Sequence, residues 1–194
     1  MKDVLARCIL RAFSGPVRSK ATPVDRGVHT RLVTVAAMSE FGFDDCPAED
    51  LVCEAHTVDQ YGLREGDVLV SVRGFAGKIA VAGPALAGAV ATANILVLRL
   101  NSSRLLPEVL WAYLASPKGR SALTGILQSS SGQMAMSLQG LLDLEIPIPS
   151  MAKQTEIAAV VRAGVAAHRS AVETAKATMQ VLRQALAETL DREC

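Results

Sequence analysis

The sequence predicts an α+β protein, with a mixed-sheet domain over residues 1–149 followed by one long C-terminal coiled-coil helix over residues 150–194. Three observations carry this. Short β-branched runs bounded by glycine and proline fill the first part, as strands do. Two helix starts, at Pro107 and Pro117, follow those runs. After Ser150 there is no proline and only Gly164, and apolar residues recur at alternating steps of three and four.

The elements follow in order. Arg31–Ala37 reads as a strand, and Phe41–Asp50, acidic with Gly42 and Pro47, as a loop. Leu63–Asp67 is a turn in which Gly66 supplies the awkward backbone angle. Val68–Val72 and Ile79–Ala82 form a hairpin around the glycine turn Gly74–Lys78, and Ala93–Leu100 is a further strand. A helix from Pro107 presents Val109, Leu110, Tyr113 and Leu114 as one stripe, and Ser116-Pro117 caps a second helix that runs to about Leu127. The stretch SSSGQMAMS at 129–137 reads as a loop, Leu138–Leu142 as a helical turn, and Leu144–Ile148 as a proline-bracketed edge strand.

In the last segment Ala158, Val161, Val165, His168, Val172, Ala175, Met179, Leu182, Leu186 and Thr189 form a heptad seam. Some forty helical residues span roughly 60 Å. Nothing else in the sequence is long enough to cover that stripe, so a second long helix is expected from another copy. Val161, Val165, His168, Val172, Ala175, Met179, Leu182 and Leu186 are the expected dimer contacts, with His168 a polar residue that fixes register. A helix folded back on its own domain is the alternative.

The 194 residues suit one domain with or without an appendage, and half are hydrophobic. Only 4% are aromatic, so the core must come from Ala, Val, Leu and Ile. The net charge of +1 hides blocks: six bases to one acid over 7–31, nine acids to one base over 40–67, and six bases to one acid over 73–120. Two basic blocks folded together would suit a phosphate backbone; a solvated surface is the plainer reading.

Cys8, Cys46, Cys53 and Cys194 include no CxxC, and Cys46, Cys53 and His56 lack a fourth ligand, so no metal is expected. Reduced thiols in a cytoplasmic protein fit better. Met1 leads into mixed charged and apolar residues, unlike a secretory signal. Residues 79–98 carry no charge, but Gly83-Pro84, Gly88 and Asn94 argue for buried strands joined by a loop rather than a membrane helix. Gly74-x-x-Gly77-Lys78 lacks the earlier glycine and following Ser/Thr of a phosphate loop. No GxSxG or HExxH occurs and no catalytic constellation is found, so neither enzyme activity nor a cofactor is expected.

Several segments together resemble the DNA-specificity subunit of type I restriction-modification systems. They are Phe13-Ser14-Gly15, the Arg31–Ala37 run, Leu63-x-x-Gly66-Asp67-Val68-Leu69-Val70-Ser71-x-x-Gly74-x-x-Gly77-Lys78, and Ala93-Asn94-Ile95 with Val97-Leu98-Arg99. LWAYLASPKG at 110–119, Gly132-x-Met134-x-x-Ser137-Leu138-x-x-Leu141, Ile146-Pro147-Ile148-Pro149 and Gln154-x-x-Ile157 complete the ordered set, which covers nearly the whole chain. Lys153 stands where the family often has an acid. A typical member carries two recognition domains and two long helices. This chain has one of each, so it resembles a half-subunit.

The resemblance implies a target recognition domain over 1–149 and a dimerisation helix over 150–194. Two copies would pair in opposed directions and read an inverted repeat with an unread spacer. Loops would enter the major groove of double-stranded DNA, where Gln128, Ser129, Ser130, Ser131 and Gln133 are candidate base readers. Arg73 and Lys78 flank the glycine turn, and Arg18, Lys20, Lys118 and Arg120 are candidate phosphate contacts. A flexible connector is the plain alternative for the serine loop. The implied partners are an adenine methyltransferase subunit and, in some systems, a restriction subunit. Two other readings stay open: a dimeric scaffold that docks a methyltransferase-like partner without reading DNA, and a small hydrolase using Ser71 and Lys78.

Overall fold

The computed structural model of the chain describes residues 2–16, 27–39, 42–43, 49–73, 77–130 and 133–193. In chain order the elements are β1 (Lys2–Val4), β2 (Ile9–Ser14), β3 (Val28–Val33), β4 (Met38–Ser39), β5 (Gly42–Phe43), β6 (Glu49–Cys53), α1 (Ala55–Tyr61), β7 (Val68–Ser71), β8 (Ile79–Val81), β9 (Val90–Ala91), β10 (Ile95–Leu100), α2 (Pro107–Ala115), α3 (Pro117–Gly125), β11 (Leu127–Ser130), β12 (Gln133–Met136), α4 (Leu138–Leu142), β13 (Glu145–Pro147) and α5 (Met151–Glu193). Short 3-10 turns lie at Leu5–Cys8, Val35–Ala37 and Pro84–Leu86.

The centre is a four-stranded sheet in the order β2-β10-β7-β8, antiparallel throughout. A second sheet, β6-β3-β9, is mixed, because β3 pairs antiparallel with β6 but parallel with β9. The strands β7 and β10 are buried on both faces. Val68, Val70, Leu96 and Leu98 point into one core with Val109, Leu110 and Leu114 of α2, Leu123 of α3 and Leu141 of α4. Leu69, Ile95 and Val97 point into another with Val33, Met38 and Ala91. That two-sided burial explains why both strands read as unbroken apolar runs rather than alternating ones. Trp111 Nε1 donates to the Ile79 carbonyl at 3.2 Å and ties α2 to β8.

Two compact units emerge. The first covers Met1–Ala158 and holds both cores; the second, Ala159–Cys194, contains the rest of α5 as far as Glu193. The first turns of α5 belong to the head because Gln154 is wholly buried. Its Oε1 accepts from Leu106 N at 2.9 Å, and its Nε2 donates to the carbonyls of Arg104 (2.9 Å) and Pro149 (3.0 Å). Ile157 packs against the first core. Farther along, from Val172 on, large apolar side chains are out in solvent: Met179, Leu182 and Leu186 are 51%, 52% and 64% exposed. At 43 residues, α5 is about 65 Å long. Among the described residues no helix is long and apolar enough to cross a membrane.

The structure departs from the sequence expectations in several places. The strand expected over Arg31–Ala37 begins earlier and ends at Val33, where a 3-10 turn closes with Ala37 N donating to Thr34 O at 3.1 Å. The segment SSSGQMAMS is not a plain connector. It contributes to a hairpin of β11 and β12 in which Gln128 stands opposite Ala135 and Ser130 opposite Gln133. Serine and glutamine are poor strand formers, so the pairing depends on a neighbour. That neighbour is the end of β7, where Met136 N donates to Val72 O at 3.1 Å and Arg73 bridges Ala135. The strands β1, β2 and β6 and the helix α1 went unpredicted. The expected loop Phe41–Asp50 instead contains β5 and the start of β6.

Candidate nucleic-acid interface

The glycine turn after β7 and the β11–β12 hairpin lie far apart in sequence, yet the structure joins them. The ladder step between Arg73 and Ala135 sets the base of the hairpin beside the start of the turn. From the other side, Arg120 of α3 donates Nη1 to the Gly77 carbonyl at 2.9 Å. Ser116 Oγ accepts from Gly119 N at 3.2 Å and so caps α3, whose exposed Lys118 lies in the first turn. One end of the domain thus brings together Arg73, the Gly77 turn, the start of α3 and the polar hairpin.

The expected site residues divide sharply. Arg73 and Lys118 are exposed. Gln128, Ser129 and Ser130 occupy β11 and Gln133 opens β12. Arg18, Lys20 and Ser131 lie outside the described residues. Lys78 is used internally: its Nζ donates to the carbonyls of Met38 (2.7 Å) and Val35 (3.3 Å) and closes the 3-10 turn there. The Arg120 guanidinium is likewise turned to the Gly77 carbonyl.

Two more bases of the 73–120 block are spoken for. Arg99 grips the buried Asp67 through Nε to Oδ1 at 2.9 Å and Nη2 to Oδ2 at 2.8 Å, a bidentate pair. Asp67 Oδ2 also accepts from Arg64 N at 2.8 Å. Arg104 donates to Asp3 Oδ2 at 3.2 Å and to the Arg7 carbonyl at 2.9 Å. Of the six bases in the 73–120 block, four are thus engaged within the head, Arg104 in a half-exposed pair.

The same geometry explains the motif that sequence reading singled out. Gly66 and Gly77 sit at φ 83° and 89°, where a side chain would be strained. The wholly buried Ser71 accepts from Lys78 N at 2.8 Å through Oγ, closing the β7–β8 hairpin. Ser71 has no exposed surface to offer a substrate and Lys78 is held on two carbonyls, so the hydrolase reading is set aside. Gly15 and Gly119 are packing glycines: a Cβ there would come within 1.6 Å of Ala91 O and 2.0 Å of Tyr113 O. The motif residues hold the head together.

The mixed-sheet head, with its β11–β12 hairpin set beside Arg73, continues into a long helix whose apolar side chains are exposed. The family model described as "Type I restriction modification DNA specificity domain" matches residues 54–166, more than half of the chain. The chain belongs to that family. The matched span takes in the glycine turn, the hairpin and the first turns of α5.

Solved structures agree. The chain is similar to one from a study titled "Structural basis underlying complex assembly and conformational transition of the type I R-M system", with 25% identity and a TM-score of 0.62 over 95% of this chain and 44% of that one. It shares the fold of the HsdS subunit from Thermoanaerobacter tengcongensis, at 20% identity and a TM-score of 0.63, over 97% of this chain and 48% of that one. It also shares that of the type I S subunit from M. genitalium, at 14% identity and a TM-score of 0.54, over 82% and 37%. The chain spans less than half the length of each of the three. No curated protein matches its sequence.

Proposed function

We propose that this chain reads one half of a bipartite DNA target and directs a partner adenine methyltransferase, and in some systems a restriction subunit, to it. The observation that carries the reading is the convergence of the β11–β12 hairpin with the glycine turn through the Arg73–Ala135 bridge. Polar side chains on a hairpin of this size suit the major groove, which admits a two-stranded ribbon. In this reading Gln128, Ser129, Ser130, Ser131 and Gln133 contact base edges. Arg73 and Lys118, with Arg18 and Lys20, contact phosphates and set register. Two copies pair through Val161, Val165, His168, Val172, Ala175, Met179, Leu182 and Leu186 as an antiparallel coiled coil, and the rod sets the spacer.

Selection from a random duplex library with the purified chain tests this. The expected result is an inverted repeat split by a spacer of constant length; a dimer that enriches no sequence overturns it.

A specific observation favours a second reading, a dimeric scaffold that docks a methyltransferase-like partner without reading DNA. Lys78, Arg99 and Arg120 are engaged in part-buried bonds within the head, and Arg104 pairs with Asp3 at its surface. The double variant Arg73→Ala, Lys118→Ala separates the readings. Both residues are exposed, so the fold should stand. DNA reading predicts a loss of duplex affinity with partner binding intact; a scaffold predicts no change in either.

A further inference from the structure

The distal rod carries a second pattern beside its apolar seam. Take Val165, Val172, Met179 and Leu186 as heptad positions a, and Val161, His168, Ala175 and Leu182 as d. Every e position from 162 to 183 is then basic: Arg162, Arg169, Lys176 and Arg183. The g positions opposite are Gly164, Ala171, Thr178 and Ala185, none of them charged. From Ile157 to Ala187 the single acid is Glu173, at b. All four bases are exposed. One flank of the seam is cationic throughout and the other is small and neutral.

Flanking charges decide which helices pair and in which sense. In the antiparallel pair proposed above, e faces e′ and g faces g′. The cations of both copies then meet along one side of the coil, four from each. At the e positions no acid of a second copy faces them; Glu173, at b, stands beside Arg169 and Lys176, one acid to four bases in each copy. The seam alone does not call for such an arrangement, and it weakens self-association through like charge. A polyanion would relieve it.

We propose that this flank binds the phosphate backbone of duplex DNA, so that the rod grips the spacer it measures. The inference rests on the DNA-reading proposal above. The dimensions agree: Arg162 and Arg183 are 21 residues apart, about 32 Å along a helix, close to one turn of B-DNA at ~34–36 Å. Long cationic side chains at a regular step contact phosphates without reading bases. The spacer is thus held, and its sequence stays unread.

The test uses the full chain and the variant Arg162→Gln, Arg169→Gln, Lys176→Gln, Arg183→Gln, in which glutamine keeps helix propensity. Affinity is measured against salt on two duplexes, one carrying both selected half-sites with the spacer, the other a single half-site trimmed of it. On the full site the variant should bind more weakly, with a log–log salt slope shallower by about 0.9 for each phosphate no longer neutralised. On the trimmed half-site the two proteins should match. An unchanged slope on the full site overturns the proposal and leaves the flank to an acidic protein helix. A second measurement needs no variant: self-association of the native chain should tighten as salt rises, or when random-sequence duplex is added, and indifference to both also overturns it. A wild-type chain that selects no sequence at all sinks the DNA-reading proposal itself, which is a different result from a shared slope.

Discussion

The head and the rod spend their side chains in opposite ways. In the head, charged and polar groups are turned inward and paired: Asp67 with Arg99, Lys78 with two carbonyls, Gln154 with three backbone groups. In the rod, Val172, Met179, Leu182 and Leu186 stand in solvent, flanked by a row of unburied cations. An isolated helix gains little from propensity and owes its stability to packing of its apolar face. The head buries its apolar side chains within itself, while those of the distal rod stay exposed. A residue's chemistry says little about its use until its neighbours are known. Lys78 and Lys118 look alike in sequence, yet one closes a turn and the other faces solvent.

Breaking the rod should have the largest effect and should leave the head untouched. The double variant Leu182→Glu, Leu186→Glu puts carboxylates into the seam; the expected result in sedimentation is complete loss of the proposed dimer. The melting transition of the head should not move. If head and rod melt together in the native chain and part in the variant, the two units are not independent.

Breaking the head comes next. Asp67 is buried and Arg99 nearly so. Removing one partner strands the other, which costs about 3–5 kcal/mol. Urea denaturation of Asp67→Ala should register that loss, with the coil still able to pair. A matched apolar pair at both positions should recover most of it.

At the junction, Gln154→Ala leaves Leu106 N and the carbonyls of Arg104 and Pro149 unmatched. The expected cost is about 2 kcal/mol. Hydrogen exchange should speed up at Leu106 and across the first turns of α5, and not in the distal rod.

The smallest effect belongs to the thiols. Burial pushes Cys8 and Cys53 above their ordinary value of 9.0, with nearby Asp3 and Glu54 adding to it and Arg104 opposing at Cys8. A folded value raised above the unfolded one means the unfolded chain loses its proton first. Stability is then fully present below pH ~9 and declines as pH rises further, toward the folded values. Denaturation midpoints between pH 8 and 10 should fall for the native chain and fall less for Cys8→Ala, read as a difference from its own value at pH 8.

Much of this molecule was legible in its residues. The β7–β8 hairpin, the strand that became β10, the proline-started helices, the cap at Ser116 and the long helix were all expected, because each rests on local spacing. The failures share a cause. Strands β1 and β6 are short or edge elements that exist by pairing with distant β13 and β3. The β11–β12 hairpin is anchored through Ala135 and Met136 on Arg73 and Val72, which lie more than fifty residues earlier. Counting bases over 73–120 missed their engagement for the same reason: partners such as Asp67 and Gly77 are invisible to a tally.

The sequence by itself determined the order of elements, the helix whose seam no local segment can cover, and the ordered motifs that carry the family. Period and composition are properties of neighbouring residues, so they can be read along the chain. Only the tertiary structure decided which charges remain for a ligand and which hairpin stands beside the glycine turn. Burial and hydrogen bonding are settled between residues far apart, where a partner either satisfies a charge or leaves it in water.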